Sequence, residues 1–357
     1  MASQVGPVEI TEHRSLPYYT QSIVLIIALV LAGSFLAITD SFNLFTLYAL
    51  AVPIYLGILL PLSIRIEGRR YAIDRLATGI IVSTFALALF PLISVLQTVI
   101  TNGAARFDVA FFTQTMHGVF GDMLGGSFHA IVGTLIITAV TAVISIPIGV
   151  LAAVFLVEYG DESPMSRTFA RALRFFVDVM TGIPSIVAGL FAYSVFSLSF
   201  FYGVGARAGF IGAVALTVLM IPIVVRNTEE MLQLVARDLR EASYALGVPK
   251  WRTILKVVIP TASGGIATGV TLAIARVIGE TAPLLVTVGT AVGLNLNPFS
   301  GRMATLPYFT YISYMQPGVP PQHGIERAWA GALVLILLVM ALNLLARLVA
   351  AYFAPKK

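Results

Sequence analysis

Apolar runs of about 20 residues recur along almost the whole chain, and short polar segments separate them. Each run is long enough to cross a hydrocarbon core about 30 Å thick as a helix. Because lipid offers the backbone no hydrogen bonds and the alternation of a membrane strand is absent, we predict helices. The predicted spans are 22–38, 44–64, 76–96, 130–157, 175–201, 210–225, 261–279 and 328–351. The pattern therefore predicts an all-α integral membrane protein, a polytopic bundle of about eight transmembrane helices.

Composition supports this class of protein. Of the 357 residues, 58% are hydrophobic and 11% are charged, whereas soluble domains carry about 25% charged residues. The chain has no cysteine, which excludes disulfides and thiolate metal sites. The histidines (His13, His117, His129 and His323) stand alone in tails or outer loops, so we predict no metal site. No GK[ST] loop, HExxH helix or nucleophile elbow is present, so we predict a non-enzyme without an ATPase site of its own.

The positions of lysine and arginine predict the orientation. With the N-terminus in the cytoplasm, 17 of the 22 Lys and Arg residues fall on the cytoplasmic side, as the positive-inside rule requires. The others are Arg106, Arg207, Arg302 and Arg327 outside, and Arg276 within a span. The polar residues 1–21 lack a basic start and a cleavage signature, so we expect a retained tail. We therefore predict a multi-pass cell-membrane protein whose tails, 1–21 and 352–357, are both cytoplasmic.

Two predicted outer loops are long, 97–129 and 281–327. The second contains an apolar piece, 283–294, that is too short to cross and would suit a re-entrant path. Proline occurs in several spans, where it can kink a helix or simply serve packing. We interpret the GIPS motif at 182–185 as functional, because the polar residues Asp178, Thr181 and Ser185 accompany it.

The segment 226–260 lies between two spans and yet has a helical pattern, with Gly247 separating two helical stretches. Its apolar positions include Tyr244, Leu246 and Trp251. A groove in another protein would accommodate such a helix. The lipid surface would also suit it, given its Arg and Lys content. The pattern alone leaves both alternatives open.

The spacing in this segment resembles the EAA signature of ABC importer permeases, which is EAA, three residues, G, nine residues and I-x-L-P. Here Glu241-Ala242-Ser243 is followed by three residues, Gly247, nine residues and the sequence VVIP at 257–260. In that family this region is the coupling helix, which enters a cleft of the cytoplasmic ATPase. The resemblance therefore implies that Glu241, Ala242, Ser243 and Gly247 couple to an ATPase, within what we call the coupling segment (237–256).

Other blocks resemble the PstA family, the phosphate permeases of the Pst system, which are type I ABC importer membrane subunits. They are AIVGT at 130–134, GVLAA at 149–153, GIPSIVAGL at 182–190, RNTEEML at 226–232 and ARVIGETAPLL at 275–285. The likeness covers about 76–351 and implies a permease transmembrane domain with a core of six spans. Residues 22–75 add two N-terminal transmembrane helices, to which we assign no role.

The resemblance also implies partners. They are a homologous permease subunit (PstC-like), two cytoplasmic ATPase subunits (PstB-like) that bind ATP and Mg, and an extracytoplasmic phosphate-binding protein (PstS-like). We expect no cofactor in this chain. Its net charge of +5 is spread over loops, so we expect no nucleic-acid partner.

Arg276 and Glu280 are charged residues in or next to an apolar span. Arg276 lies ~22 Å along its helix, where a charge costs at least ~2.5 kcal/mol, so it should face the bundle interior or an aqueous path. At i+4, Glu280 can meet it in a self-neutralising pair. Alternatively, Arg276 would bind phosphate while Glu280 accepts the anion's own O–H, which sulfate lacks. The family associates this Arg and Glu with translocation, and we add Thr281, Thr181 and Ser185 as predicted path residues.

The sequence leaves three questions open: the role of Asp178, the identity of the substrate and the energy source of transport. Asp178 either lines the path or, as we favour, pairs with Arg174 one turn earlier. The substrate could be phosphate or another oxyanion such as sulfate or molybdate. An ion-driven secondary transporter would also suit broken helices and an intramembrane Arg–Glu pair. The coupling spacing favours an ATP-driven importer, because a secondary carrier has no ATPase to engage.

Overall fold

The computed structural model describes residues 16–353, apart from 18, 40–42, 199–202 and 204. These residues form helices and no strand, which confirms the all-α prediction. Among them, seven helices are long and apolar enough to cross a membrane, and one bent helix pair adds an eighth span if it is counted. The chain divides into two compact units, Met1–Gln97 and Thr98–Lys357. Most of the two predicted tails and the predicted span end at 201 lie outside the described residues.

The first unit contains helix α1 (Thr20–Ile38), helix α2 (Leu44–Ile66) and most of helix α3 (Arg69–Gly103). One face of α1 is buried at every fourth residue, with alanine in its middle positions, and α1 packs along α2. Many of the other side chains are large, apolar and exposed, as expected for helices that face lipid.

A hydrogen-bonded ion pair stabilises the turn between α2 and α3. The carboxylate of Glu67 accepts hydrogen bonds from Arg75 Nε at 2.6 Å and Nη2 at 2.7 Å. It also accepts hydrogen bonds from the hydroxyl of Ser63 and the backbone N–H of Leu16. The hydrogen bonds from Arg75 outweigh burial and hold the pKa of Glu67 at about 2, below its ordinary 4.5. The chain that precedes α1 is thereby tied to this turn.

The second unit begins with the end of α3, the short helix α4 (Val109–Thr113) and the long helix α5 (Phe128–Val154). Asp108 precedes α4 and accepts a hydrogen bond from the backbone N–H of Phe111. Helix α5 continues into a wider π turn, Phe155–Tyr159, so that one helical run extends from Phe128 to Tyr159.

The predicted span 175–201 is not one helix. Helix α6 (Pro164–Thr181) and helix α7 (Ser185–Phe196) meet at 109° across a break of three residues. Helix α6 also begins eleven residues before the predicted span, because Ser163 and Ser166 form a capping box and Pro164 suits the first turn. At the break, Pro184 has no backbone N–H and its extended ψ of 135° cannot continue α6.

Helix α8 (Gly209–Gln233) is the central helix of the second unit. Of its apolar 18-residue stretch, 61% is buried, whereas 28% of the corresponding stretch of the C-terminal helix is buried. It packs on α5, on α7 and on α11 (Ile259–Ile278). Small residues permit this approach, since a Cβ on Gly149 of α5 would lie 2.7 Å from Val224.

Between α8 and α11 lie helix α9 (Arg237–Ala245) and helix α10 (Lys250–Thr253). A π turn, Ile254–Val258, joins α10 to α11, so a single helical run extends from Lys250 to Ile278. This layout matches the predicted two helical stretches separated by Gly247.

The C-terminal part contains helix α12 (Ala282–Thr287), helix α13 (Leu306–Met315) and helix α14 (Pro321–Phe353). The piece 283–294 is helical only within the six residues of α12. The Pro-rich segment after it contains α13, which the hydropathy pattern did not predict. Pro307 lies in the first turn of α13, where its missing N–H costs no hydrogen bond.

Candidate functional site

One cavity gathers most of the residues predicted to line a transport path. Its volume is about 200 Å³, and it lies where the break between α6 and α7 faces α8 and α11. Arg276 and Glu280 line it together with Thr181 and Ser185. The other lining residues are Met180, Ile183, Leu219, Pro222, Ile223 and Val277. We call this space the Arg276 cavity.

Arg276 and Glu280 do not form the self-neutralising ion pair, which is one of the two alternatives that the sequence leaves open. Helix α11 ends at Ile278, so Glu280 does not continue the helical face of Arg276. Instead, Glu280 follows the C-cap residue Gly279, and its backbone N–H donates to the carbonyl of Val277. Within the described part of the chain, neither side chain takes part in an ion pair. A guanidinium donor and a carboxylate acceptor are thus both available to a molecule in this cavity.

Two hydroxyls come to the cavity because the helix breaks between them. Thr181 is the last residue of α6 and Ser185 the first of α7. The hydroxyl of Thr181 donates to the carbonyl of Asp178 at 2.6 Å, which leaves its oxygen as an acceptor. The Ser185 hydroxyl has no hydrogen-bond partner among the residues that the structure describes, so it can donate or accept.

Thr281 is the predicted path residue that the structure does not bring to the Arg276 cavity. It precedes α12 and lines a different cavity of about 630 Å³. The side chains around it there are mostly apolar and belong to α12, α13 and α14. The sharp turn after α11 separates Thr281 from its neighbour Glu280.

Asp178 pairs with Arg226 of α8, so the pairing with Arg174 that we favoured is wrong. Helix α8 packs against α6 and presents Arg226 to Asp178, a contact that sequence spacing does not show. Arg226 also lies 3.5 Å from one carboxylate oxygen of Glu229, and Nε of Arg174 lies 3.3 Å from the other. These three contacts join four charges into one network, which lies near the cavity because Asp178 is one helical turn before Thr181 on α6.

Glu229 is a residue that the sequence pattern did not single out. Only 5% of it is exposed, and two arginines compensate its charge. A buried carboxylate needs such partners, because removing a charge from water is costly. The signal was present in the RNTEEML block, where Arg226 and Glu229 stand one helical turn apart.

Gly247 ends α9 with a backbone that other residues rarely adopt. Its φ is +74°, and its N–H donates to the carbonyl of Tyr244 at 2.9 Å. The next N–H, from Val248, donates to the carbonyl of Ser243 at 3.3 Å. These two bonds form a Schellman motif, for which glycine is the preferred residue. Gly247 therefore shapes the coupling segment rather than offering a side chain to a partner.

Polar contacts attach the coupling segment to the bundle. Arg240 donates from Nε and Nη2 to the carboxylate of Glu158, at 3.1 and 2.8 Å. The ammonium of Lys250 lies 2.7 Å from the carboxylate of Glu162 and also contacts the Glu158 carbonyl. Within the segment, the buried hydroxyls of Ser243 and Thr253 are 2.8 Å apart. The two helices are thereby held to each other and to the end of the α5 run.

The outward face of the segment carries other side chains. Glu241 and Ala242 are exposed, whereas Ser243 is buried. Leu246 is 83% exposed and Trp251 is 54% exposed. Large apolar side chains exposed on a charged segment are typical of a surface that another protein covers.

Comparison with known proteins gives consistent matches. The model of a family described as "Binding-protein-dependent transport system inner membrane component" matches residues 145–357. The phosphate transport system permease protein PstA of Mycobacterium leprae is 42% identical over 296 residues, which are 82% of this chain and 92% of that protein. The protein of the same name from Pasteurella multocida is 40% identical over 271 residues, 75% of this chain and 90% of that protein.

A solved structure supports the fold. It is a bacterial ABC transporter involved in the import of the acidic polysaccharide alginate, with a TM-score of 0.56 and 12% sequence identity. The match covers 79% of this chain and 97% of that chain.

Proposed function

Because the chain belongs to the family of binding-protein-dependent transport system inner membrane components, we propose that it is the membrane permease of an ATP-driven importer of inorganic phosphate. The relatives that carry the name phosphate transport system permease protein support this substrate. The observation that carries the proposal is the Arg276 cavity, where an arginine and a glutamate without ion-pair partners in the described residues meet two hydroxyls.

The chemistry of this cavity suits a protonated oxyanion. The guanidinium of Arg276 donates a charge-assisted fork of hydrogen bonds to the anion. The carboxylate of Glu280 accepts the hydrogen bond that phosphate donates through its own O–H. Sulfate near neutral pH has no such proton and would meet the carboxylate charge unshielded. The hydroxyls of Thr181 and Ser185 add donors or acceptors around the anion.

Partner subunits that bind the coupling segment would hydrolyse the ATP. Glu241 and Ala242 would contact the ATPase, while Ser243 and Gly247 hold the shape of the segment. Since one helical run joins this segment to Arg276, a movement imposed on α9 and α10 would be transmitted to the cavity. A second permease, two ATPases that bind ATP and Mg, and an extracytoplasmic binding protein would complete the importer.

The test is phosphate uptake by the complete importer in proteoliposomes. We expect Arg276→Gln to reduce uptake at least about 100-fold, because the anion then crosses the membrane without a compensating cation. The complex should still assemble, since Arg276 holds no other described residue in an ion pair. The matched control is Arg347→Gln, an exposed arginine near the end of α14 that should leave uptake unchanged. Normal uptake by Arg276→Gln would refute the role of the cavity.

The same vesicles separate the alternatives. Uptake that continues without ATPase subunits would identify an ion-driven carrier. Uptake of sulfate or molybdate in preference to phosphate would identify another oxyanion permease. Both outcomes would refute the proposed function.

The cytoplasmic location of both termini follows from the positive-inside argument and is part of the proposal. Because the chain has no cysteine, the labelling of single introduced cysteines can show on which side of the membrane each position lies. A membrane-impermeant maleimide should label Phe120→Cys in intact cells and Met165→Cys only after membrane inversion, both being highly exposed positions outside the coupling segment. The reverse labelling pattern would refute this orientation.

A further inference from the structure

A second cavity, of about 140 Å³, lies along α13, from its N-cap residue Thr305 to its C-cap residue Gln316, and shares no lining residue with the Arg276 cavity. Its polar lining residues are His129, Thr290, Thr305, Tyr308, Ser313, Gln316 and Arg327, and no carboxylate is among its lining residues. His129 and Glu158 stand near opposite ends of the α5 run, so this cavity is at the end of the unit away from the coupling segment. We call it the α13 cavity.

Three side chains of this cavity are buried with an unsatisfied polar atom. Thr305 is 0% exposed, His129 2% and Arg327 8%. In the described residues, Thr305 Oγ1, His129 Nδ1 and Arg327 Nε have no hydrogen-bond partner. Buried polar groups in proteins are nearly always satisfied, because leaving them unpaired is costly. Three such atoms around one cavity indicate that a polar occupant belongs there.

The hydroxyl of Thr305 makes no helix-capping hydrogen bond, although its position would allow one. Thr305 occupies the N-cap position of α13, where a threonine hydroxyl ordinarily accepts a hydrogen bond from the helix backbone. Here no such cap bond forms, and the backbone N–H of Leu306 donates to the hydroxyl of Thr134 at 2.7 Å instead. The Thr305 hydroxyl is left to the cavity, beside a helix N-terminus whose partial positive charge favours anions.

The charge balance also calls for an anion. Arg327 donates to the carbonyl of Leu124 at 3.1 Å, and it has no ion pair within the described part of the chain. Arg106 donates to the same carbonyl at 3.4 Å, and Asp108 compensates its charge. One buried positive charge thus remains without a carboxylate. Water could satisfy the hydrogen bonds, but it could not neutralise this charge.

We propose that the α13 cavity binds an inorganic oxyanion through Arg327 and Thr305. The guanidinium Nε–H and the threonine hydroxyl donate to the anion, and the volume is about ten times the ~10–15 Å³ that one water requires. The choice of phosphate as the ligand rests on the proposed function. Unprotonated His129 then accepts the O–H of phosphate through Nδ1, as Glu280 does in the Arg276 cavity.

The test measures binding of radiolabelled phosphate to the purified full-length chain by equilibrium dialysis. The background is Arg276→Gln, which silences the Arg276 cavity, and binding should remain saturable with one site. Adding Arg327→Gln should weaken binding at least about 10-fold, the effect of losing a charge-assisted hydrogen bond. Adding Arg302→Gln, which removes an exposed arginine outside both cavities, should change nothing.

Thr305→Val distinguishes a ligand site from a structural role. It removes a buried hydroxyl that has no partner among the described residues, so the ligand-free chain should melt at a higher temperature while phosphate binds several-fold more weakly. A loss of thermal stability, or an unchanged affinity, would overturn the proposal. So would the absence of both phosphate and sulfate binding in the Arg276→Gln chain, or equal binding after Arg327→Gln. If sulfate binds with the same variant pattern while phosphate does not, the site stands and the phosphate assignment fails.

Discussion

At one end of the helical run Lys250–Ile278, Arg240 and Lys250 of the coupling segment are held in ion pairs with Glu158 and Glu162. At the other end, Arg276 shares a cavity with Glu280 and pairs with no described residue. Paired charges fix a geometry, because separating them exposes an uncompensated charge. Unpaired charges in a cavity remain available to a ligand. Under the proposed function, this contrast suits mechanical attachment at one end and ligand binding at the other.

The largest expected effect comes from removing the carboxylate of Glu158, the buried partner of Arg240. Glu158→Gln should lower the free energy of unfolding by about 3 kcal/mol, because it leaves a mostly buried guanidinium without its carboxylate. ATP hydrolysis by the assembled complex should also become less dependent on transport, since α9 loses its direct ion pair to the α5 run and, among the polar contacts of the described residues, only those of Lys250 remain. Unfolding in SDS and coupled ATPase assays would measure the two effects.

Glu162→Gln is the matched control, since it removes the half-exposed partner of Lys250. It should cost at most about 1 kcal/mol. Equal losses in the two variants would show that the buried pair is not special.

The second test addresses the unpaired end. Glu280→Gln should reduce phosphate uptake about 10-fold, because the neutral amide accepts the phosphate O–H more weakly than a carboxylate does. Thermal stability should stay unchanged, since Glu280 has no ion pair to lose among the described residues. Glu230→Gln, an exposed carboxylate on α8, should change neither quantity. A fall in stability without a fall in uptake would reverse the assignment of the two ends.

The smallest effect concerns the turn that shapes the coupling segment. Gly247→Ala should lower the free energy of unfolding by about 1–2 kcal/mol, the cost of a left-handed backbone for a residue with a Cβ. No described heavy atom lies within 4 Å of that Cβ, so the effect is conformational strain alone. Gly264→Ala in helix α11 also meets no atom and should be neutral or slightly stabilising. Identical melting of both variants would contradict this account.

Hydropathy located most of the membrane helices because a run of 20 apolar residues has few other structures open to it in lipid. It failed at α6 and α7, because hydropathy averaged over about 20 residues does not detect the break that Pro184 and its neighbours create. It also failed at α13, where prolines suggested a loop although one of them suits the first helical turn. Both failures concern local backbone geometry that a sliding average does not resolve.

For the candidate site, residue type predicted which residues line the cavity better than it predicted which side chains pair with each other. Arg276, Glu280, Thr181 and Ser185 line one cavity, and of the two alternatives for Arg276 and Glu280 the ion pair does not form, because the helix ends at Ile278. The favoured partner of Asp178 was wrong, because its actual partner, Arg226, comes from a helix distant in sequence. Spacing rules describe neighbours on one helix, whereas these partners were decided between helices.

By itself, the sequence determined the membrane class, the family resemblance and the coupling spacing, since each depends on residue type and distance along the chain. Only the tertiary structure decided which charges remain unpaired and which cavity each polar residue lines. The reason is that ion pairing requires approach within a few ångströms of side chains that stand tens of residues apart. The order of residues constrains such approaches only after helices have packed.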